Sequence, residues 1–173
     1  QKSLSKTGFP AVLKTRRMGY DGKGQIVIRS EADMEKVWQT LQGNALILES
    51  FVPFEREVSI ISVRSKTGET KFYPLIENHH HEGILRKSIA PAPNLTRELQ
   101  QQAESYARLV LERLEYIGVL AIEFFVKNGK LIANEMAPRV HNSGHWTIEG
   151  AETSQFESHI RAVAGLPLGS TEA

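Results

Sequence analysis

Residues Asn134-Glu135-Met136-Ala137-Pro138-Arg139-Val140-His141-Asn142-Ser143-Gly144-His145 set a carboxylate, a guanidinium, two imidazoles and two amides in one short stretch. A second carboxylate, Glu123, lies within the apolar run 119–126 just upstream. Two carboxylates converging from neighbouring strands suit a hard divalent cation such as Mg²⁺, and Asn134 offers a further oxygen. An Arg and a His beside them can steady charge that moves during a reaction. A segment that served packing alone would not need so many kinds of polar group.

Convergence depends on register. Asn128-Gly129 is a strong two-residue hairpin signal between the runs 119–126 and 131–135. With that loop and a regular ladder, Glu123 faces Asn134 and Glu135 points to the opposite face. A three-residue loop, or a bulge in one strand, puts Glu123 and Glu135 opposite each other. We therefore expect one of these two devices. The alternative is one solvated carboxylate and a second that caps a loop.

A glycine-rich loop is the second candidate. Gly19-Tyr20-Asp21-Gly22-Lys23-Gly24-Gln25 joins two runs that read as strands, 11–15 and 25–29, with Lys14 on the first and Arg16 and Arg17 following it. Its backbone can approach a ligand closely and aim N–H groups at phosphate. It lacks the Gly-Lys-Ser/Thr of a Walker loop and leads into a strand, so it is neither that loop nor a Rossmann turn. A solvated Gly-rich turn is the alternative. Other features say less. His79-His80-His81 cannot all face one ion from an extended chain, so at most one is expected to act. Trp38 and Tyr106 fall on apolar stripes and are expected in the core. Glu57, among alternating charges at 54–58, suggests an exposed strand start, and Arg16-Arg17 lacks the aromatic interleaving of a nucleic-acid patch.

The elements that must position these groups are clearly punctuated. Ser30 is expected to cap a helix with Met34, Val37, Trp38 and Leu41 at helical spacing, ended by Gly43. A short strand at 45–49 follows, then a hairpin of 58–64 with 70–76, then a looser stretch through the histidines, Pro91 and Pro93. Leu99, Ala103, Tyr106, Ala107, Val110, Leu111 and Leu114 form the stripe of the longest helix. Ser154-Gln155-Phe156-Glu157 is a capping box for a last helix stopped by Gly165 and Pro167. Strands outnumber helices and pair mostly as hairpins, giving an α+β class with mainly antiparallel sheets and flanking helices. We expect a small lobe over 1–47 carrying the glycine-rich flap and a large lobe over 48–173.

The 173 residues, 40% hydrophobic and 24% charged, suit one or two compact lobes. A formal net charge of +1 gives no global field for nucleic acid or anionic membrane. No Cys is present, which excludes disulfides, thiolate metal sites and a Cys nucleophile, and fits a reducing, cytoplasmic setting. No apolar run approaches the ~20 residues of a membrane span. The opening at Gln1, just before a strand, suggests a piece of a longer protein.

Lys14-Thr15-Arg16-Arg17-Met18-Gly19-Tyr20-Asp21-Gly22-Lys23-Gly24-Gln25, Phe72-Tyr73-Pro74-Leu75, Gly83-Ile84-Leu85-Arg86 and the run from Asn134 to Thr147 occur in this order over nearly the whole chain. Together they resemble the ATP-grasp superfamily and, within it, the 5-(carboxyamino)imidazole ribonucleotide synthases, carboxylating ligases of purine biosynthesis. The resemblance implies the ATP-grasp fold, in which two lobes grip ATP. It implies that Lys14 and Gly19, Tyr20, Asp21, Gly22, Lys23, Gly24 and Gln25 hold the phosphates, and that Glu49, Ser50, Phe51 and Val52 form a hinge against adenine. Glu57 would take the ribose hydroxyls and His80 a nucleotide contact. Glu123 and Glu135 would bind Mg²⁺ (or Mn²⁺), with Asn134 beside them. Tyr20, Asp21, Lys23, Arg139 and His141 would surround the reacting groups, and Asn142, Ser143 and His145 would shape that pocket.

The implied reaction forms carboxyphosphate from bicarbonate and ATP, then transfers its carboxyl to the amine of 5-aminoimidazole ribonucleotide. Whole members carry further N-terminal and C-terminal domains and are expected to be homodimers. Without those domains the segment is expected to keep partial ATP contacts and little ligase activity. Another ATP-grasp ligase, such as a biotin carboxylase or a formyl or amino-acid ligase, or a non-catalytic ATP-binding module, would share the paired carboxylates and the loop. It would not be expected to share Arg139 through His145. Neither nucleic acid nor membrane is an expected partner.

Overall fold

The computed structural model describes residues 4–17 and 23–173. Gly19, Tyr20, Asp21 and Gly22 of the candidate flap lie outside the described residues. The chain divides into two compact units, Gln1–Pro53 with His81–Ile84 and Phe54–His80 with Leu85–Ala173.

In the first unit a short helix α1 (Leu4–Thr7) precedes strands β1 (Ala11–Thr15) and β2 (Gln25–Ile28), helix α2 (Met34–Leu41) and strand β3 (Leu46–Ser50). The strands form one antiparallel sheet in the order β2-β1-β3. Val37 and Leu41 of α2 pack with Ile28, against Leu13, Ile26 and Leu48 of the sheet. Trp38 is a correction to the sequence expectation, because it is 60% exposed. A helix of 8 residues seats one narrow stripe on a small sheet, and Trp38 lies beside that stripe. Ser30 is, as expected, the N-cap of a 3-10 turn over Glu31–Asp33 that leads into α2, and the Asp33 carboxylate accepts the backbone N–H groups of Arg29 and Ser30 at 2.9 and 3.0 Å. The expected boundary at 47/48 falls inside β3, whose register with β1 runs from Ala11↔Ser50 to Thr15↔Leu46. That non-local pairing carries the division to Pro53/Phe54.

In the second unit, apart from the His81–Ile84 hairpin tip counted with the first, β4 (Arg56–Arg64), β5 (Thr70–Phe72), β6 (Ile76–His81), β7 (Ile84–Ile89), β8 (Gly118–Lys127) and β9 (Lys130–Ala137) make a six-stranded sheet. Its order is β7-β6-β4-β8-β9, with β5 also paired to β4. The run 70–76 is not one strand: Tyr73-Pro74-Leu75 interrupts it, and proline supplies no N–H for the ladder. The stretch through the histidines is an ordered hairpin of β6 and β7, turned at Glu82 and Gly83 with φ of 52° and 76°. Helix α3 (Arg97–Arg113) lays Leu99, Ala103, Ala107 and Leu111 on one face of the sheet, against Val58, Ile60, Leu120, Ile122 and Phe124. Tyr106, expected in the core, is 41% exposed with its ring 6.0 Å from that of Phe124. On the other face Ile61, Val63, Tyr73, Val119 and Ala121 pack with Ala162 of helix α5 (Gln155–Ala164). A one-turn helix α4 (Thr147–Gly150) precedes α5, whose N-cap Ser154 Oγ accepts the Glu157 N–H at 3.2 Å. Among the described residues no helix is long and apolar enough to cross a membrane.

Phe124 is the largest fully buried side chain of the core facing α3. Phe124→Ala should lower unfolding stability by about 3–5 kcal/mol, read by urea denaturation, because the close-packed site cannot collapse fully around the void. A loss under about 1 kcal/mol would contradict this packing.

Candidate active site

The hairpin of β8 and β9 sets the two carboxylates. Its loop has two residues, Asn128 and Gly129, both with positive φ (50° and 69°), and Lys127 pairs with Lys130. Pairing then runs Phe124↔Ala133 and Glu123↔Glu135, with the register shift between Glu123 and Phe124. Asn134 is the residue left over, a β-bulge, and the bulge is the device that brings Glu135 opposite Glu123. One ligand atom from each of Glu123, Glu135 and His141 lies within 4.8 Å of the others. In the next strand Ser59 pairs with Glu123 and Glu57 with Phe125, so Glu57 and Ser59 share this face.

Electrostatics follow from this crowding. Burial, then the neighbouring charge of Glu135, raises the Glu123 carboxyl from its usual range to about 7. Burial, with Arg139 and His145 nearby, lowers His141 to about 4. His141 Nε2 lies 3.9 Å from Glu123 Oε1, yet at neutral pH this imidazole carries no charge, so the contact is not an ion pair. His80 Nδ1 sits 2.6 Å from Glu57 Oε2. That hydrogen bond raises the His80 pKa, and the charges of Glu57, Glu123 and Glu135 raise it further. His79 turns to Glu77 instead, at 3.3 Å. Paired carboxylate oxygens crowded enough to hold one acid protonated are donors of the kind hard cations take, so the residues fit Mg²⁺.

The segment after β9 is held by α5. Gln155, fully buried, accepts the His141 backbone N–H at 3.0 Å and donates to the His141 carbonyl at 2.7 Å. Its own N–H donates to Thr147 Oγ1 at 2.9 Å, and that hydroxyl donates to the Gly144 carbonyl at 2.6 Å. A Cβ on Gly144 would stand 2.4 Å from Gln155 Oε1, so a side chain there would push the Gln155 amide off the His141 backbone. Arg139 is exposed and donates to the Val140 carbonyl at 2.9 Å. Asn142 Oδ1 accepts the Ser143 N–H at 3.0 Å. The exposed His145 ring stacks on Phe156, centroids 5.8 Å apart.

The remaining sequence candidates belong to the first unit. Lys14 Nζ and Glu49 Oε2 form an ion pair at 2.7 Å across β1 and β3. Gln25 pairs with Lys14 at the foot of the loop, and Lys23 makes a single bridge. Gly24 has φ of 79° and its carbonyl accepts the Thr15 N–H at 2.7 Å. A Cβ at Gly24 would stand only 2.6 Å from Thr15 Oγ1. Ser50 pairs with Ala11, the Phe51 N–H donates to the Pro10 carbonyl at 3.2 Å, and Val52 follows outside any strand. Sequence inspection passed over Ser59, Asn78, Ser88 and Gln155. Serine in an apolar strand and Asn in a polar tract carry no local signal. Gln155, inside a recognisable capping box, could have been suspected only from its depth.

The shifted groups predict opposing pH effects in the metal-free protein. Folded Glu123 keeps its proton to about 7 against 4.5 ordinarily, so its contribution makes stability fall as pH rises across that window. Folded His141 resists protonation down to about 4 against 6.5, so its contribution makes stability rise with pH there. The slopes nearly cancel where they overlap. Glu123→Gln removes one of them and should gain on the parent by up to about 1.4 kcal/mol per pH unit between those limits. Thermal denaturation across the range measures it, and a pH-independent difference would contradict the raised carboxyl.

A family model described as the ATP-grasp domain matches residues 1–156. The chain is 61% identical over 164 residues to N5-carboxyaminoimidazole ribonucleotide synthase of Pseudomonas aeruginosa, covering 95% of this chain and 45% of that protein. Among solved structures, the N5-carboxyaminoimidazole ribonucleotide synthetase of Thermus thermophilus is 58% identical, with a TM-score of 0.91 over 99% of this chain and 46% of that one. The N5-carboxyaminoimidazole synthase of Aspergillus clavatus, in complex with ADP and 5-aminoimidazole ribonucleotide, is 31% identical. It has a TM-score of 0.90 over 99% of this chain and 44% of that one. The chain thus spans a little under half the length of the curated relatives it matches. Since the matched span takes in both sheets and the bulged hairpin, the chain belongs to the ATP-grasp family.

Proposed function

We propose that this chain is the nucleotide-binding and catalytic segment of an N5-carboxyaminoimidazole ribonucleotide synthase. Such a ligase joins bicarbonate to 5-aminoimidazole ribonucleotide with conversion of ATP to ADP and phosphate. The observation that carries the proposal is the bulged pairing of Glu123 with Glu135 beside His141, in a chain 61% identical to a synthase of that name.

Glu123 and Glu135 would hold Mg²⁺, with Asn134 beside them, and the ion would neutralise phosphate charge as the γ-phosphoryl transfers. Bicarbonate oxygen attacks the γ-phosphorus, the bond to the β-phosphate oxygen breaks, and carboxyphosphate and ADP result. The amine then takes the carboxyl carbon, releases phosphate and loses a proton. Lys14, Gly19, Gly22, Gly24 and Gln25 act on the ATP phosphates, and Glu49, Ser50, Phe51 and Val52 face adenine. Lys14 exchanges its Glu49 partner for phosphate oxygen, and the Glu57–His80 pair meets the ribose. Arg139 supplies fixed positive charge, and Tyr20, Asp21, Lys23 and His141 surround carboxyphosphate and the amine. Because carboxyphosphate hydrolyses readily, closure of the loop must exclude water. Further domains of the parent chain would complete the ribonucleotide pocket.

Two measurements test this. The protein at its full natural length should hydrolyse ATP faster when 5-aminoimidazole ribonucleotide and bicarbonate are present, and Arg139→Ala should abolish the stimulation, a loss of about 10²–10³-fold. Stimulation by biotin or an amino acid instead would overturn the assignment. Glu135→Gln should weaken Mg²⁺-dependent ADP binding by at least about tenfold in calorimetry, while metal-free ADP binding changes little. Unchanged Mg²⁺ dependence would remove the pair from metal binding.

A further inference from the structure

Behind His141 runs a chain of buried polar side chains. Ser88 Oγ donates to Asn78 Oδ1, Asn78 Nδ2 donates to Ser59 Oγ, and Ser59 Oγ donates to Ser143 Oγ, each at 2.9 Å. Ser143 Oγ lies 2.9 Å from His141 Nδ1. Ser59, Asn78 and Ser143 are 0%, 4% and 0% exposed, so water does not supply substitute partners freely. β4 contributes Ser59, β6 Asn78 and β7 Ser88, and the run after β9 contributes Ser143.

Each hydroxyl has one proton to give, so the chain has two self-consistent directions. In one, every proton points toward His141 and Nδ1 accepts. In the other the Asn78 amide is turned over and Nδ1–H donates outward. Two contacts break the tie. The Ser143 backbone N–H, which can only donate, is shared between Asn142 Oδ1 at 3.0 Å and Nδ1 at 3.4 Å. At the opposite side of the ring Nε2 lies 3.9 Å from Glu123 Oε1, where at about pH 8 a lone pair would face carboxylate oxygen and an N–H would not.

We propose that Ser88, Asn78, Ser59 and Ser143 form a one-way hydrogen-bond relay that locks His141 as its neutral Nε2–H tautomer, making the ring a hydrogen-bond donor beside the carboxylate pair and not a third metal ligand. A protonated Nε2 has no lone pair for a cation, and Nδ1 is engaged by Ser143. The geometric trio of Glu123, Glu135 and His141 therefore separates into two oxygen ligands and one N–H. That N–H is aimed at whatever anionic oxygen the two carboxylates and their ion attract. Ser59, Asn78 and Ser88 touch no substrate in this arrangement and are positioning residues. The kinetic arm of the test rests on the ligase proposal, but the tautomer does not.

Long-range ¹H–¹⁵N NMR of histidine-labelled protein at about pH 8, where an ordinary imidazole is neutral, reads the tautomer directly. His141 should show Nε2–H with an unprotonated Nδ1. An Nδ1–H signal overturns the proposal. Ser59→Ala should give a mixture of tautomers, and retention of the parental tautomer overturns the relay. Ser88→Ala, farther from the ring, should shift the ratio in the same direction, and Ser88→Thr, which keeps the hydroxyl, should match the parent. In the full-length protein Ser59→Ala should lower kcat by about tenfold with little change in KM for ATP. An inactive parent protein would sink the ligase proposal and leave the NMR result to decide the relay.

Discussion

Two carboxylates held opposite each other on adjacent strands, Glu123 partly buried and Glu135 exposed, are the constraint around which the second unit is organised. Without a cation the pair is frustrated: Glu123 keeps a proton to about 7 because burial and Glu135 both oppose its ionisation. The groups around it fall into place as responses to that charge. The hydrogen bond to Glu57 raises the His80 pKa, and burial lowers that of His141. On the function proposed above, a site so arranged is pre-organised for a divalent cation, since the strands that hold the carboxylates are already fixed by the ladder before any ligand arrives.

The two faces of the large sheet show how that fixation is achieved. One face is apolar and covered by α3, whose Leu99, Ala103, Ala107 and Leu111 anchor β4 and β8 from behind. The other carries an apolar patch under α5 and polar groups at Glu57, Ser59, Glu123 and Glu135. Helix α5 serves both ends, because Ala162 packs into the core while Gln155 pairs with the backbone of His141. A loop rich in polar groups can thus be as firmly placed as a strand, its backbone partners supplied by a buried amide.

Much of the fold and of the site could be read in the sequence, for reasons that are local. Asn128-Gly129 fixes a hairpin, and the spacing of Glu123 and Glu135 across it made a bulge or longer loop a condition for their convergence. The bulge is at Asn134. The α3 stripe and the α5 cap were likewise visible as spacing. What escaped depends on contacts between distant positions. β3 returns to pair with β1, so the boundary lies beyond the expected 47/48, at Pro53/Phe54. The β6–β7 hairpin turns on a glutamate with positive φ, which no turn preference favours. Trp38 satisfies helical spacing yet stays exposed because the sheet beneath α2 is small. Ser59 and Ser88 owe their role entirely to which strands become neighbours.

The central claim is that Glu123 and Glu135 grip one divalent cation at the phosphates of a nucleotide. A crystal structure with ADP and Mn²⁺, read by anomalous scattering, tests it most directly. The account predicts a single strong peak about 2.0–2.2 Å from oxygens of both carboxylates and of the diphosphate, with His141 outside the coordination sphere. A peak bound by His141 nitrogen, or one away from the β8–β9 hairpin altogether, would contradict it.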